Sequence, residues 1–246
     1  MSGLTINDKD VVVPGEVLAE GMDYLPSHGT YRLDDTIRAG KLGLARIDGK
    51  VIKIIPLSGV YSPRRNDVII CKVFDVLMSG WRVNTFTPYS AMLSMKDGTN
   101  EFIMKGANLT KYHQIGDYIM CKVVNVTSQR LIDVTMKGPG LRKLDNGRFI
   151  RVNSHKVPRI IGKQGSMVSM VKNATGCRIL VGQNGVVWVS GEPEMEILAI
   201  ETIKKVEKES HVSGLTDAIK VFLEEKTGKK LETKAEEKSE PEGEQQ

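Results

Sequence analysis

Apolar and polar positions alternate in two short runs, KLGLARI and KVIKIIPL, on either side of Asp48-Gly49. Alternation of period two predicts strands buried on one face, and Asp-Gly between such runs predicts a tight hairpin. No helical period appears before about Tyr61, so residues 1–61 are expected to form a small β domain. Two longer runs alternate in the same way, NDVIICKVFDV (66–76) and GDYIMCKVVNV (116–126), matching at Asp, Ile, Cys, Lys, Val and Val. Each precedes a second strand-like run, GWRVNTF and RLIDVTM. Neither copy has enough chain to bury a core of its own. The echo is therefore expected to mark two corresponding strands of one closed β-barrel over residues 62–140.

The period changes at Gly147. RFIRVN predicts a strand and HKVPRII a short helix, ahead of Gly162-Lys163-Gln164-Gly165. In SMVSMVKNAT the residues Met167, Val168, Met170, Val171 and Ala174 share one helical face, and Gly176 is a stop. CRILV and VVWVS predict two strands, with Asn184-Gly185 as a two-residue hairpin turn between them. Pro193 opens a helix with Ile197, Ile200, Ile203 and Val206 on one face, and a shorter helix is expected from Leu215 to Glu225. Residues 147–225 thus carry the order β-α-α-β-β-α and a helical extension. Residues 226–246, nearly devoid of apolar side chains, are expected to be a disordered charged tail.

Charge narrows the function. The net charge is +5, but the last 21 residues hold five Lys and six Glu, and the remainder carries 30 basic against 24 acidic side chains. No acid occurs between Asp145 and Glu192, where Arg148, Arg151, Lys156, Arg159, Lys163, Lys172 and Arg178 stand. Such a stretch attracts polyanions, above all nucleic acid. Cys71, Cys121 and Cys177 are scattered, as are the four histidines, so no disulfide framework, zinc site or metal cluster is expected. Neither a membrane-spanning run nor a secretory signal is apparent, which predicts a cytoplasmic protein with no membrane partner. No cofactor, small-molecule substrate or catalytic constellation is expected.

The glycine loop admits three readings. A nucleotide-hydrolase loop needs lysine beyond its second glycine, and here Lys163 lies between the two. A tight turn between strands suits Gly182 to Gly185, but Gly162 to Gly165 lies between helices. A loop whose glycines bring backbone close to backbone, beside the positive end of a helix, suits a nucleic-acid phosphate. VPRIIGKQGSMVSMVKNATGCRILV resembles the KH signature, and the element order resembles type I KH domains, whose G-x-x-G loop clamps about four nucleotides. The resemblance implies RNA contacts from Gly162, Lys163, Gln164 and Gly165, flanked by Arg151, Arg159, Ile160 and Ile161. Ile160, Ile161, Met167, Val168 and Ile179 would line an apolar groove under the bases, and core packing explains them at least as well.

NDVIICKVFDVLMSGWRVNTF and LTKYHQIGDYIMCKVVNVTSQRLIDVTMKG resemble the S1-type RNA-binding domain, an oligonucleotide-binding barrel. Gly80 and Trp81 open the second strand, and Tyr112 to Asp117 leads into the fourth. On the third strand SAMLSM stands where an aromatic or histidine is common, which thins the expected base stacking. Trp81, Arg82, Tyr89, Tyr112, Lys72 and Lys122 are the candidate contacts. Trp81 serves equally well as a core plug, and the two lysines as outward strand residues.

A small β domain, an S1-type barrel and one KH domain in this order resemble the RNA-binding cap subunits of the archaeal exosome, relatives of eukaryotic ribosomal-RNA-processing protein four. VVVPGEVL and GTYRLDDTIRAGKLG are similar to that family's N-terminal domain. The resemblance implies a non-catalytic subunit, three copies of which sit on a hexameric ring of phosphorolytic-type subunits. The N-terminal domain would dock on the ring, and single-stranded RNA would be fed in 3′ end first. A stand-alone S1/KH factor of transcription or translation is the alternative, although antitermination factors usually carry two KH copies. Polynucleotide phosphorylase places KH before S1 and needs catalytic domains for which this chain has no room.

Overall fold

The computed structural model describes residues 3–57, 59–99, 101, 103–104, 106–210 and 214–228. The chain divides into two compact units, residues 1–60 and 61–246.

The first unit is all β among its described residues. Its strands are β1 (Gly3–Leu4), β2 (Val11–Val12), β3 (Val17–Glu20), β4 (Leu25–Pro26), β5 (Thr30–Leu33), β6 (Thr36–Ala39), β7 (Gly43–Asp48) and β8 (Val51–Pro56). They form two four-stranded sheets, ordered β1-β3-β6-β5 and β2-β7-β8-β4. Val12, Leu18, Ile37, Ala45, Ile52 and Ile54 make the core. The hairpin joining β7 and β8 closes over Gly49-Lys50, one residue later than the Asp-Gly pair suggests, because Asp48 is already paired with Val51. Gly49 takes the positive φ, +61°.

The second unit begins with β9 (Val68–Leu77), β10 (Gly80–Asn84), β11 (Ser90–Ser94), β12 (Tyr118–Val126) and β13 (Ile132–Thr135). Their order, β13-β11-β10-β9-β12 with β13 returning to β12, closes a five-stranded barrel. The closing pair β11–β13 is parallel. The two echo runs become neighbouring antiparallel strands, with Ile69 opposite Cys121 and Cys71 opposite Ile119. Both cysteines point into the barrel core, and their Sγ atoms lie 3.6 Å apart. Burial, followed by the hydrogen bond from Cys121, pushes the Cys71 thiol pKa well up.

A short strand, β14 (Lys143–Leu144), adds to β12 and leads into β15 (Arg148–Arg151), α1 (Val157–Ile161), α2 (Ser166–Thr175), β16 (Arg178–Val181), β17 (Val186–Ser190) and α3 (Pro193–Lys208). This is the expected β-α-α-β-β-α order, with an antiparallel sheet ordered β15-β17-β16. α4 (Leu215–Thr227) packs Leu215, Ile219 and Leu223 into the helical side of the core. It ends at Gly228, so the tail expected from Lys226 starts inside a helix, and residues 229–246 lie outside the described ones.

The run VVWVS is apolar throughout because β17 is covered on both faces. Val187 and Val189 face the helices. Val186 and Trp188 face the barrel, packed with Ile70, Leu144, Tyr118 and Phe149. Tyr118 stacks on Phe149 at 3.7 Å between centroids. The barrel and the β-α-α-β-β-α domain therefore share an apolar interface.

Candidate nucleic-acid interface

α1 carries proline in its first turn and ends at Gly162, whose φ and ψ of 78° and 173° only glycine adopts readily. A Cβ there would lie 2.6 Å from the Met167 backbone nitrogen and 2.8 Å from Met167 Cβ. The chain thus folds back on the start of α2 too tightly for any side chain. Gln164 (φ 53°) and Gly165 (φ 81°) are left-handed as well, and the Gly165 amide donates to the Gly162 carbonyl at 3.2 Å. Between these glycines Lys163 and Gln164 are exposed.

α2 starts directly after the loop, with no side-chain cap and no acid in its first turn. The positive end of its dipole is left for an anion. Arg159, on the last turn of α1, is exposed, and neither it nor Lys163 joins an ion pair among the described residues. Lys172 and Arg178 likewise make no ion pair there. Arg148 differs, bonding to Glu196 at 3.0 Å. So does Lys156, whose ammonium donates to the Glu207 carbonyl.

Several sequence candidates lie elsewhere. Trp81 is a correction: it is fully buried in the barrel core, and its Nε1 donates to the His113 carbonyl at 3.0 Å. Gly98 is pressed against the indole, so the ring has no face for a base. Ile160 is also core, 2% exposed, together with Met167 and Ile179, whereas Ile161 and Val168 keep part of their surface. Tyr112 is half-buried against the barrel core. Lys72 and Lys122 do not lie side by side, because antiparallel pairing puts Lys72 opposite Tyr118 and Lys122 opposite Val68. Lys72 sits over the Tyr118 ring at 5.5 Å. Arg82 is exposed on β10 and Tyr89 in the loop just before β11. Arg151 leaves its own domain's surface to lie over the ring of Phe86 in the barrel, 4.6 Å from its centre.

Profiles of two families match the chain: a KH domain over residues 147–195, and the region described as exosome complex exonuclease RRP4 N-terminal region over residues 11–48. The exosome complex component Rrp4 of Methanothermobacter thermautotrophicus is 40% identical over 234 residues, which cover 95% of this chain and 74% of that protein. The chain belongs to the Rrp4 family. Rrp4 of Pyrococcus furiosus is 43% identical over 227 residues, covering 91% of this chain and 86% of its own. A crystal structure of a proposed exosome complex RNA-binding protein superposes with a TM-score of 0.62 at 32% identity, covering 68% of this chain and 97% of that one.

One residue of this Rrp4-family chain that sequence reasoning assigned only to a turn does more. The connection between β16 and β17 has four residues, Gly182 to Gly185, of which Gly182 still pairs through its amide with the Val186 carbonyl and only Gly185 is left-handed. Asn184 is then free to turn its amide into the barrel. Its Nδ2 donates to the carbonyls of Ile70 (2.8 Å) and Thr85 (3.0 Å), and its Oδ1 accepts from the Ile70 amide (3.3 Å). Gln183 completes the join, exchanging hydrogen bonds with Val68 through its amide and its Oε1. These groups continue the pairing of β9 past Asn84, where β10 ends.

Proposed function

We propose that this Rrp4-family chain is a non-catalytic RNA-binding subunit of an exosome in the cytoplasm. Its KH-type loop would hold the backbone of single-stranded RNA, and its copies would feed the 3′ end to a hexameric phosphorolytic ring. The observation that carries the reading is the loop at Gly162. A backbone conformation that only glycine adopts readily stands at an uncapped helix start, between Arg159 and Lys163, neither engaged in an ion pair among the described residues. Backbone clamping with positive charge suits any single strand, because discrimination between sequences needs contacts to base edges. The relatives' description as exosome complex components supports the assembly, with the N-terminal β unit as the part that docks.

Gentle purification of the tagged chain from its own cells, followed by native mass measurement, tests the assembly. A hexameric ring carrying three copies of this chain is expected. A lone protein, or one attached to polymerase or ribosome, contradicts it, and phosphate-dependent RNA decay by the isolated chain contradicts the non-catalytic role.

A further inference from the structure

The chain carries an anionic segment of its own. Of residues 229–246 the first seven, KKLETKA, hold three Lys and one Glu, and the last eleven, EEKSEPEGEQQ, hold five Glu and one Lys. The lysines directly follow α4, whose C-terminal end is the negative end of its dipole and favours cations. The glutamates have no such match there. Leu231 is the one large apolar side chain of the run, so charge rather than hydrophobic burial decides where it docks.

The complementary surface is the glycine-loop clamp. Arg159 and Lys163 are exposed, and no carboxylate of the described residues pairs with either. α2 starts at the loop with no side-chain cap and no acid in its first turn. The clamp is also within reach. α4 packs Leu215, Ile219 and Leu223 into the same core as Met167 and Met170 of α2, so its end at Gly228 belongs to the helical layer that carries the loop. At 1.5 Å per residue α4 is about 20 Å long and α2 about 15 Å. The seven residues between Gly228 and Glu236 span up to about 24 Å when extended, enough to bring Glu236 to either end of α2.

We infer that residues 236–246 dock on the glycine loop when no RNA is bound, with their carboxylates standing where RNA phosphates would. The segment is then a tethered competitor that RNA must displace. The inference rests on the RNA-binding reading of the loop and adds a regulator to it. Tethering holds the segment at an effective concentration of about 1 mM. With a dissociation constant of about half that value it leaves a third of the clamps free and weakens RNA binding about threefold. Such an effect is small beside the change of about 600-fold per decade of salt that four held phosphates give.

Three proteins test it: the full chain, a chain ending at Gly228 with α4 intact, and the full-length variant Glu236→Gln, Glu237→Gln, Glu240→Gln, Glu242→Gln, Glu244→Gln. Each is titrated with a four-nucleotide RNA at about 50 mM salt, where exposed charges are weakly screened. The backbone amides of the loop are followed by NMR without RNA. Both variants should bind RNA about threefold more tightly than the parent, and the Gly162, Lys163 and Gly165 amides should shift between the parent and each variant. A synthetic peptide of residues 229–246, added to the shortened chain at about 1 mM, should restore the parent's shifts. Unchanged affinity with unchanged amides overturns the inference. So does tighter binding with unchanged amides, which indicates diffuse repulsion between the segment and RNA. Shifts confined to Lys172 and Arg178 put the segment at the far end of α2 and overturn the loop as its site. Weaker binding by the shortened chain overturns it as well, since the lysines would then be contacting RNA. If none of the three proteins binds RNA, the RNA-binding reading fails, and the amide shifts still decide whether the segment docks.

Discussion

The two glycines of the clamp are unequal, and alanine at each measures the difference. At Gly162 (φ 78°, ψ 173°) a side chain forces a backbone region that costs about 1–3 kcal/mol for any other residue. Its Cβ would also stand 2.6 Å from the Met167 nitrogen and 2.9 Å from Ser166 Oγ, so the first turn of α2 must shift. Overpacking of that kind adds about 1–3 kcal/mol. At Gly165 (φ 81°, ψ 11°) the conformation is ordinary left-handed, costing about 1–2 kcal/mol, and the nearest atom to a Cβ is Ser169 Oγ at 4.0 Å. With about 3 °C per kcal/mol for a unit of this size, Gly162→Ala lowers the melting temperature by about 10 °C and Gly165→Ala by about 4 °C. Calorimetry of the full chain reads both, and RNA titration below the transitions should show the larger affinity loss for Gly162→Ala. Equal shifts, or a larger one for Gly165→Ala, would refute the claim that close approach to α2, rather than turn flexibility, requires the first glycine.

Asn184→Ala removes three hydrogen bonds and strands the Ile70 amide and the Ile70 and Thr85 carbonyls at a buried interface. A loss of about 3 kcal/mol is expected, with faster hydrogen exchange at Ile70, measurable by chemical denaturation and NMR. At Asp117 burial acts to raise the pKa, but the hydrogen bond from Lys143, the Gln114 amide and the Lys143 charge outweigh it and leave it lowered. A carboxyl depressed on folding stabilises fully above its unfolded pKa of about 3.9 and loses that contribution as pH falls through its lower folded value. The unfolding free energy of Asp117→Asn should therefore trail the parent by about 1 kcal/mol at neutral pH and converge on it below about pH 4 in acid denaturation. Trp81→Phe costs about 2 kcal/mol of stability through lost volume and the lost bond to His113, while RNA affinity at a temperature where both fold stays the same. A marked affinity loss there would restore Trp81 as a contact.

What the sequence made legible was local. The glycine loop, the helical face of α2, the Gly176 stop and the order of elements after Gly147 all depend on residues close together in the chain. So did the echo, since two strands with one register of buried positions suit adjacent places in a barrel. Closure was expected, but the strand pair that makes it was not legible, because the parallel contact of Ala91 with Ile132 joins segments far apart. The Trp81 ambiguity had the same origin: an indole after a strand-opening glycine suits either side of a barrel wall until the residues behind it, here Gly98 and His113, are placed. At Asn184 the misreading was specific. Asn-Gly signals a two-residue turn, but three residues lie beyond the Gly182–Val186 bond and only the glycine is left-handed, because the asparagine side chain is used by the barrel. The continuous apolar run at Val186 to Val189 was the available hint of a second covered face.

The most direct test of the central claim is the salt dependence of the full chain's affinity for a four-nucleotide RNA, measured beside the double variant Lys163→Asp, Gln164→Asp. With about four phosphates held at about 0.7 each, the logarithm of the affinity should fall against the logarithm of salt with a slope near −3. The variant should lose measurable binding while keeping its melting temperature, since both side chains are exposed. A slope near zero, or undiminished binding by the double variant, would contradict an electrostatic clamp at Gly162 to Gly165.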